Sequence, residues 1–94
     1  MIIVNEKNTL GSKGFASLVF DGLKSVFDKH LDASDRQEIA GDVEFFGELD
    51  LSNLDNKAFN AVFQTIQTLK LPNQEWQQVL LTTIKQDPRY TATV

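Results

Sequence analysis

The chain has no cysteine among its 94 residues, and only one histidine, one tryptophan, one tyrosine and two prolines. Without cysteine there can be no disulfide framework, zinc knuckle or thiol nucleophile. No apolar run approaches the roughly 18 residues that a membrane-spanning helix needs. The opening Met1-Ile2-Ile3-Val4-Asn5-Glu6 lacks the basic n-region and long apolar stretch of a secretory signal. These absences lead us to expect a cytoplasmic protein with no membrane partner. Clustered Lys and Arg are missing too, and the isoelectric point lies near 4.7. That argues against nucleic acid as the main ligand, because phosphate binding needs concentrated positive charge.

Signatures of chemistry are equally scarce. Gly11-Ser12-Lys13-Gly14-Phe15 looks superficially like a phosphate loop, but the chain has no G-x-x-x-x-G-K-[ST] unit. Calcium loops want oxygens at alternate positions and a turn-forming glycine. Asp32–Gln37 fails because Arg36 stands at the third ligand position, and Asp50–Asp55 lacks both the glycine and a following bidentate Glu. Histidine suits general-base work near neutral pH. His30, however, falls on an apolar helical face beside the last turn, where a structural imidazole is the ordinary role. There is no serine elbow and no thiol to pair with it. We therefore expect no enzyme activity, no catalytic residue, no metal and no cofactor.

What the chain does have is segregated charge. Residues 28–55 hold nine acids (Asp28, Asp32, Asp35, Glu38, Asp42, Glu44, Glu48, Asp50, Asp55) against two bases, Lys29 and Arg36. The remaining residues hold four acids and seven bases, so a formal net charge of −4 divides into −7 in the middle and +3 elsewhere. Apolar content of 41 % with seven Phe is ordinary for a globular chain and excludes charge-rich disorder. We expect residues 1–94 to form a single domain.

The pattern predicts a mainly α fold, a small bundle of about four helices over 15–31, 35–41, 55–70 and 74–86. In the first, Phe15, Leu18, Val19, Leu23, Val26, Phe27, His30 and Leu31 share one face. Ser34 with Gln37 reads as a capping box, and Gly41 as a left-handed stop two turns later. Beyond it Val43, Phe45, Leu49 and Leu51 alternate with Glu44, Glu48 and Asp50, a period-two pattern. A hairpin looping at Phe46–Glu48 would set Glu44 opposite Asp50, an unfavourable pairing of like charges. Asp55 and Asn73 read as caps of the last two helices, with Pro72 and Asp87-Pro88 as terminators. Trp76, Val79, Leu80 and Ile84 should point inward. Short β elements are expected at 2–4, 43–51 and 90–94, with the two termini able to pair as edge strands.

Acids interleaved with exposed aromatics are suited to a basic protein partner. Charge steers the encounter and apolar anchors slow dissociation. The candidate contact residues are Asp35, Glu38, Asp42, Glu44, Phe45, Phe46, Glu48 and Asp50. In size, acidity, missing cysteines and helical build the whole chain resembles small bacterial immunity proteins, the partners of bacteriocins and contact-dependent growth inhibition toxins. The resemblance implies tight, non-catalytic binding to a basic nuclease toxin, over or beside its active site. The alternative is a structural or regulatory homodimer built on the apolar faces of helices 15–31 and 58–69, with the acids serving solubility alone.

Overall fold

A computed structural model describes residues 1–5 and 8–91. The protein is mainly helical, as expected. Helix α1 spans Lys13–His30, α2 Ala33–Phe46, α3 Asn56–Thr68 and α4 Gln74–Lys85. Strands β1 (Ile2–Asn5), β2 (Asn8–Leu10) and β3 (Leu49–Asp50) form a small sheet in the order β2-β1-β3.

Side-chain caps fix the helix starts by satisfying backbone N–H groups that have no partner in the first turn. Ser12 Oγ accepts from the Phe15 N–H at 3.2 Å, and Asp55 Oδ1 from the Ala58 N–H at 2.8 Å. Asn73 Oδ1 accepts from the Trp76 N–H at 3.0 Å. Lys29 and His30 occupy the last turn of α1, where the helix dipole favours positive charge.

One core lies between α1 and α3 and under the sheet. Phe15, Val19, Leu23 and Phe27 from α1 meet Phe59, Val62, Phe63 and Ile66 from α3, with Ile2 and Val4 from β1 fully buried beside them. At roughly 1.5–3 kcal/mol for each fully buried large side chain, this burial supplies most of the folding drive. The two faces named for a homodimer are therefore consumed within the chain. Gly22 lets Leu69 settle directly against α1, where a Cβ would collide with its branched end.

Two inward assignments are corrected. Leu18 and Val79 are both 46 % exposed. In α4 the inward place goes instead to Gln77, whose Nε2 donates to the Ile66 and Leu69 carbonyls at 2.8 and 2.9 Å. Those carbonyls terminate α3, which accordingly ends at Thr68, ahead of Pro72.

The second helix departs furthest from expectation. Asp32, not Ser34, is its cap, with Oδ1 accepting from the Asp35 N–H at 2.8 Å. The helix runs through Gly41 to Phe46, so residues 43–46 are helical and the 43–51 hairpin does not form. A Cβ at Gly41 would meet nothing within 4 Å, so this glycine faces open space and breaks nothing. The left-handed stop is Gly47 (φ 64°, ψ 28°), over which the Lys13 stem is folded. Only Leu49–Asp50 of the expected strand is extended, and it pairs parallel to β1 with Ile2 opposite Leu49 and Ile3 opposite Asp50.

Among the described residues the termini do not pair either. β1 is the central strand, flanked by β3 and by the antiparallel β2, which the sequence pattern did not suggest. Tyr90 and Thr91 lie in no strand, and residues 92–94 fall outside the described part. The chain end reaches β1 through a side chain. Arg89 Nη2 donates to the Val4 carbonyl at 2.9 Å, and Nη1 to the carbonyls of Leu51, Ser52 and Leu54 at 2.8, 3.1 and 3.0 Å. Its Nε and Nη2 grip both carboxylate oxygens of buried Asp87 at 2.9 Å, and its plane lies 3.9 Å from the Phe59 ring centre.

Gly41 within α2 and Gly47 at its C-cap should respond oppositely to alanine. Gly47→Ala is expected to lose about 1–2 kcal/mol through left-handed strain, and Gly41→Ala to gain up to about 1 kcal/mol of helix propensity, both read by urea unfolding. For Asp87, the hydrogen bonds from Arg89 hold the carboxyl below the ordinary carboxylate range. A depressed folded-state pKa stabilises above the ordinary value, and the effect disappears as pH falls through the depressed one. Asp87→Asn should therefore cost about 3 kcal/mol at neutral pH, with the gap to wild type closing below about pH 4.

Candidate functional site

Making α2 continuous rearranges the candidate residues. At about 100° per residue, Asp35, Glu38, Asp42, Phe45 and Phe46 fall within about a quarter of the helix circumference. Val43 and Ile39 form the side turned to the core, and Val43 is the helix's buried residue. Glu44 lies on the opposite side from Asp35, toward the α1 groove. Glu48 lies beyond the Gly47 turn, close enough to Lys13 and the first residue to share their field.

Asp50 joins the α2 acids across a small hollow. Asp35, Glu38, Asp42 and Asp50 surround about 80 Å³ whose apolar lining comes from Leu31, Ile39 and Leu54. Among the described residues none of these four carboxylates takes part in an ion pair; the pairs present are Lys24–Asp21, Arg36–Asp28 and Arg89–Asp87. Asp50 Oδ1 accepts from the Ser52 N–H at 2.9 Å, which fixes the turn that follows β3. At the end of the face, Phe45 and Phe46 are 75 % and 62 % exposed.

This arrangement costs the helix stability. Like charges at Asp35/Glu38 and Glu38/Asp42 stand three and four residues apart, each pair costing about 0.2–0.5 kcal/mol. The last turn carries no basic residue to offset the dipole, and Glu44 works against it. A cationic side chain with an aliphatic stem meets both needs of the hollow: neutral charge balance at the rim and apolar contact below.

The other sequence candidates are placed elsewhere. The carboxylates of Asp32, Asp50 and Asp55, considered above for calcium loops, hold backbone N–H groups. His30 ends α1, half-buried, with no hydrogen-bond partner among the described residues. A larger groove of about 400 Å³ separates α1 from α2, floored by Phe20 and Phe27. Its charges are internally engaged: Arg36 Nε lies 3.6 Å from Asp28, and Nη1 donates to the Leu31 carbonyl at 2.7 Å.

No family model, curated protein or solved structure matches the chain. No helix among the described residues is long and apolar enough to cross a membrane.

If the α2 acids serve contact and not folding, removing their charge should leave the fold intact. Glu38→Gln and Asp42→Asn, alone or together, are expected to hold or raise Tm at low salt as repulsion is relieved. A loss above about 1 kcal/mol would mark them as structural.

Proposed function

We propose that this chain is a non-catalytic interaction module, an immunity- or antitoxin-type inhibitor that binds a basic protein partner through the exposed face of α2. The supporting observation is the grouping of three unpaired carboxylates, Asp35, Glu38 and Asp42, with Phe45 and Phe46 on one helix face. Asp50 adds a fourth charge from β3. The partner class proposed is a nuclease-type toxin, whose own substrate-binding surface must be basic to hold phosphates. An acidic face laid on that surface competes with nucleic acid for the same cations. Like-charged acids raise the encounter rate by long-range attraction. The two phenylalanines, desolvated on contact, would slow dissociation.

The decisive measurement is stopped-flow association with a basic nuclease-toxin domain captured by this chain in a pull-down. The on-rate is expected to fall by about tenfold or more between roughly 20 and 150 mM salt. Glu38→Lys/Asp42→Lys should slow association, Phe45→Ala/Phe46→Ala should speed dissociation, and Glu44→Lys, on the far side of the same helix, should change little. An on-rate indifferent to salt and to Glu38→Lys/Asp42→Lys would refute the reading and leave the acids as solubilising charge.

A further inference from the structure

Away from the acidic face, two hollows of about 420 and 470 Å³ adjoin along the seam between α1 and α3, sharing His30, Ala61 and Gln64. Among the described residues no carboxylate lines either of them, in a chain with thirteen acids. The charged groups there are Lys29 and Lys57, with His30 between them. The nearest acids in the chain are engaged elsewhere: Asp28 faces Arg36, and Asp55 holds the Ala58 N–H. Neither lysine is in an ion pair among the described residues.

Lys57 is also badly placed for helix stability. It stands in the first turn of α3, which holds no acid, and a cation at the positive end of the helix dipole is unfavourable. An anion bound beside it would be attracted by the ammonium group, the helix end itself being already capped by the Asp55 carboxylate. Between the cations, the walls are neutral and able both to donate and to accept: Ser25, Asn56, Gln64 and Thr65. A phosphate group presents acceptors and would use only half of that capacity. A peptide backbone presents N–H and C=O groups alternately and uses both. Along α3 the seam runs from Asn56 to Thr68, about 18 Å at 1.5 Å per residue. That length accommodates about five or six residues of extended chain.

We propose that the α1–α3 seam docks an extended acidic peptide segment, its carboxylates meeting Lys29 and Lys57 and its backbone hydrogen-bonding the neutral walls. The site is separate from the α2 face and does not depend on what that face binds.

The test uses the full, isotope-labelled chain and amide chemical-shift mapping, with a hexaglutamate peptide as probe at about 20 mM salt. Saturable shifts confined to residues of the seam around Lys29, His30, Lys57 and Gln64 are expected. Lys29→Glu/Lys57→Glu should weaken binding by about tenfold or more while preserving the dispersed spectrum, since both side chains are exposed. Inorganic phosphate and a short oligothymidylate serve as competing anions. Equal or tighter binding of either at the seam overturns the peptide assignment, as do shifts that scatter over other lysines, an unchanged affinity in the double variant, or no saturable shift.

Discussion

Arg89 holds the fold's non-helical half together. The segment from Leu51 to Leu54 leaves β3 and enters α3 too quickly for its carbonyls to find ladder or helix partners, apart from a long turn bond of 3.4 Å from the Leu54 N–H to the Leu51 carbonyl. Buried carbonyls without partners are costly. One guanidinium, with donors fixed in a planar fork, satisfies three of them and reaches the Val4 carbonyl of β1 as well. Burying that charge is tolerable only because Asp87, two residues earlier, supplies both oxygens of a bidentate pair. Phe59 closes the remaining face. The strand, the loop, the third helix and the turn after the fourth thus converge on one side chain. The Asn5 side chain also hydrogen-bonds Asp87, bringing the end of β1 into the same network.

Three of the four helices were legible in the sequence because each combines a cap residue with an apolar face that the core uses. Asp55 and Asn73 cap where the pattern places them, and Ser12 caps α1, which starts two residues ahead of the expected range. The second helix was misread because periodicity detects burial, and α2 buries a single residue, Val43. With so little of it inside, acids and aromatics share its outer side, and the sequence looks like a broken helix followed by a strand. Gly41 reinforced the error: its φ is not left-handed, whereas Gly47 adopts the positive φ that ends the helix. Arg89 was illegible for a different reason. Its carbonyl partners lie 35 to 85 positions away, and carbonyls leave no mark in the side-chain pattern. Gln77 is a similar case, a polar residue drawn inward by the carbonyl end of a neighbouring helix.

For the site, composition located the charge and helical geometry sorted it. A period of two would have grouped Glu44, Glu48 and Asp50, with Asp35 and Glu38 apart. The helical period of about 3.6 instead aligns Asp35, Glu38 and Asp42 with Phe45 and Phe46 and sends Glu44 to the other side. Asp50 returns to the group through parallel pairing of β3 with β1, a long-range contact that local pattern does not reveal. The seam of opposite character between α1 and α3 was hidden for the same reason, since Lys29 and Lys57 are 28 positions apart in the chain.

The shallow anchoring of α2 also bears on how the molecule moves. Segments with few buried apolar contacts open at a lower free-energy cost than the global unfolding transition. In this protein that segment carries the proposed contact face, while α1 and β3 form the base beneath it. A ligand that binds the closed helix and not the opened one stabilises it in proportion to the logarithm of its concentration over Kd. Occupancy of α2 would therefore appear as slowed amide exchange along residues 33–46 before any change in the exchange of the core.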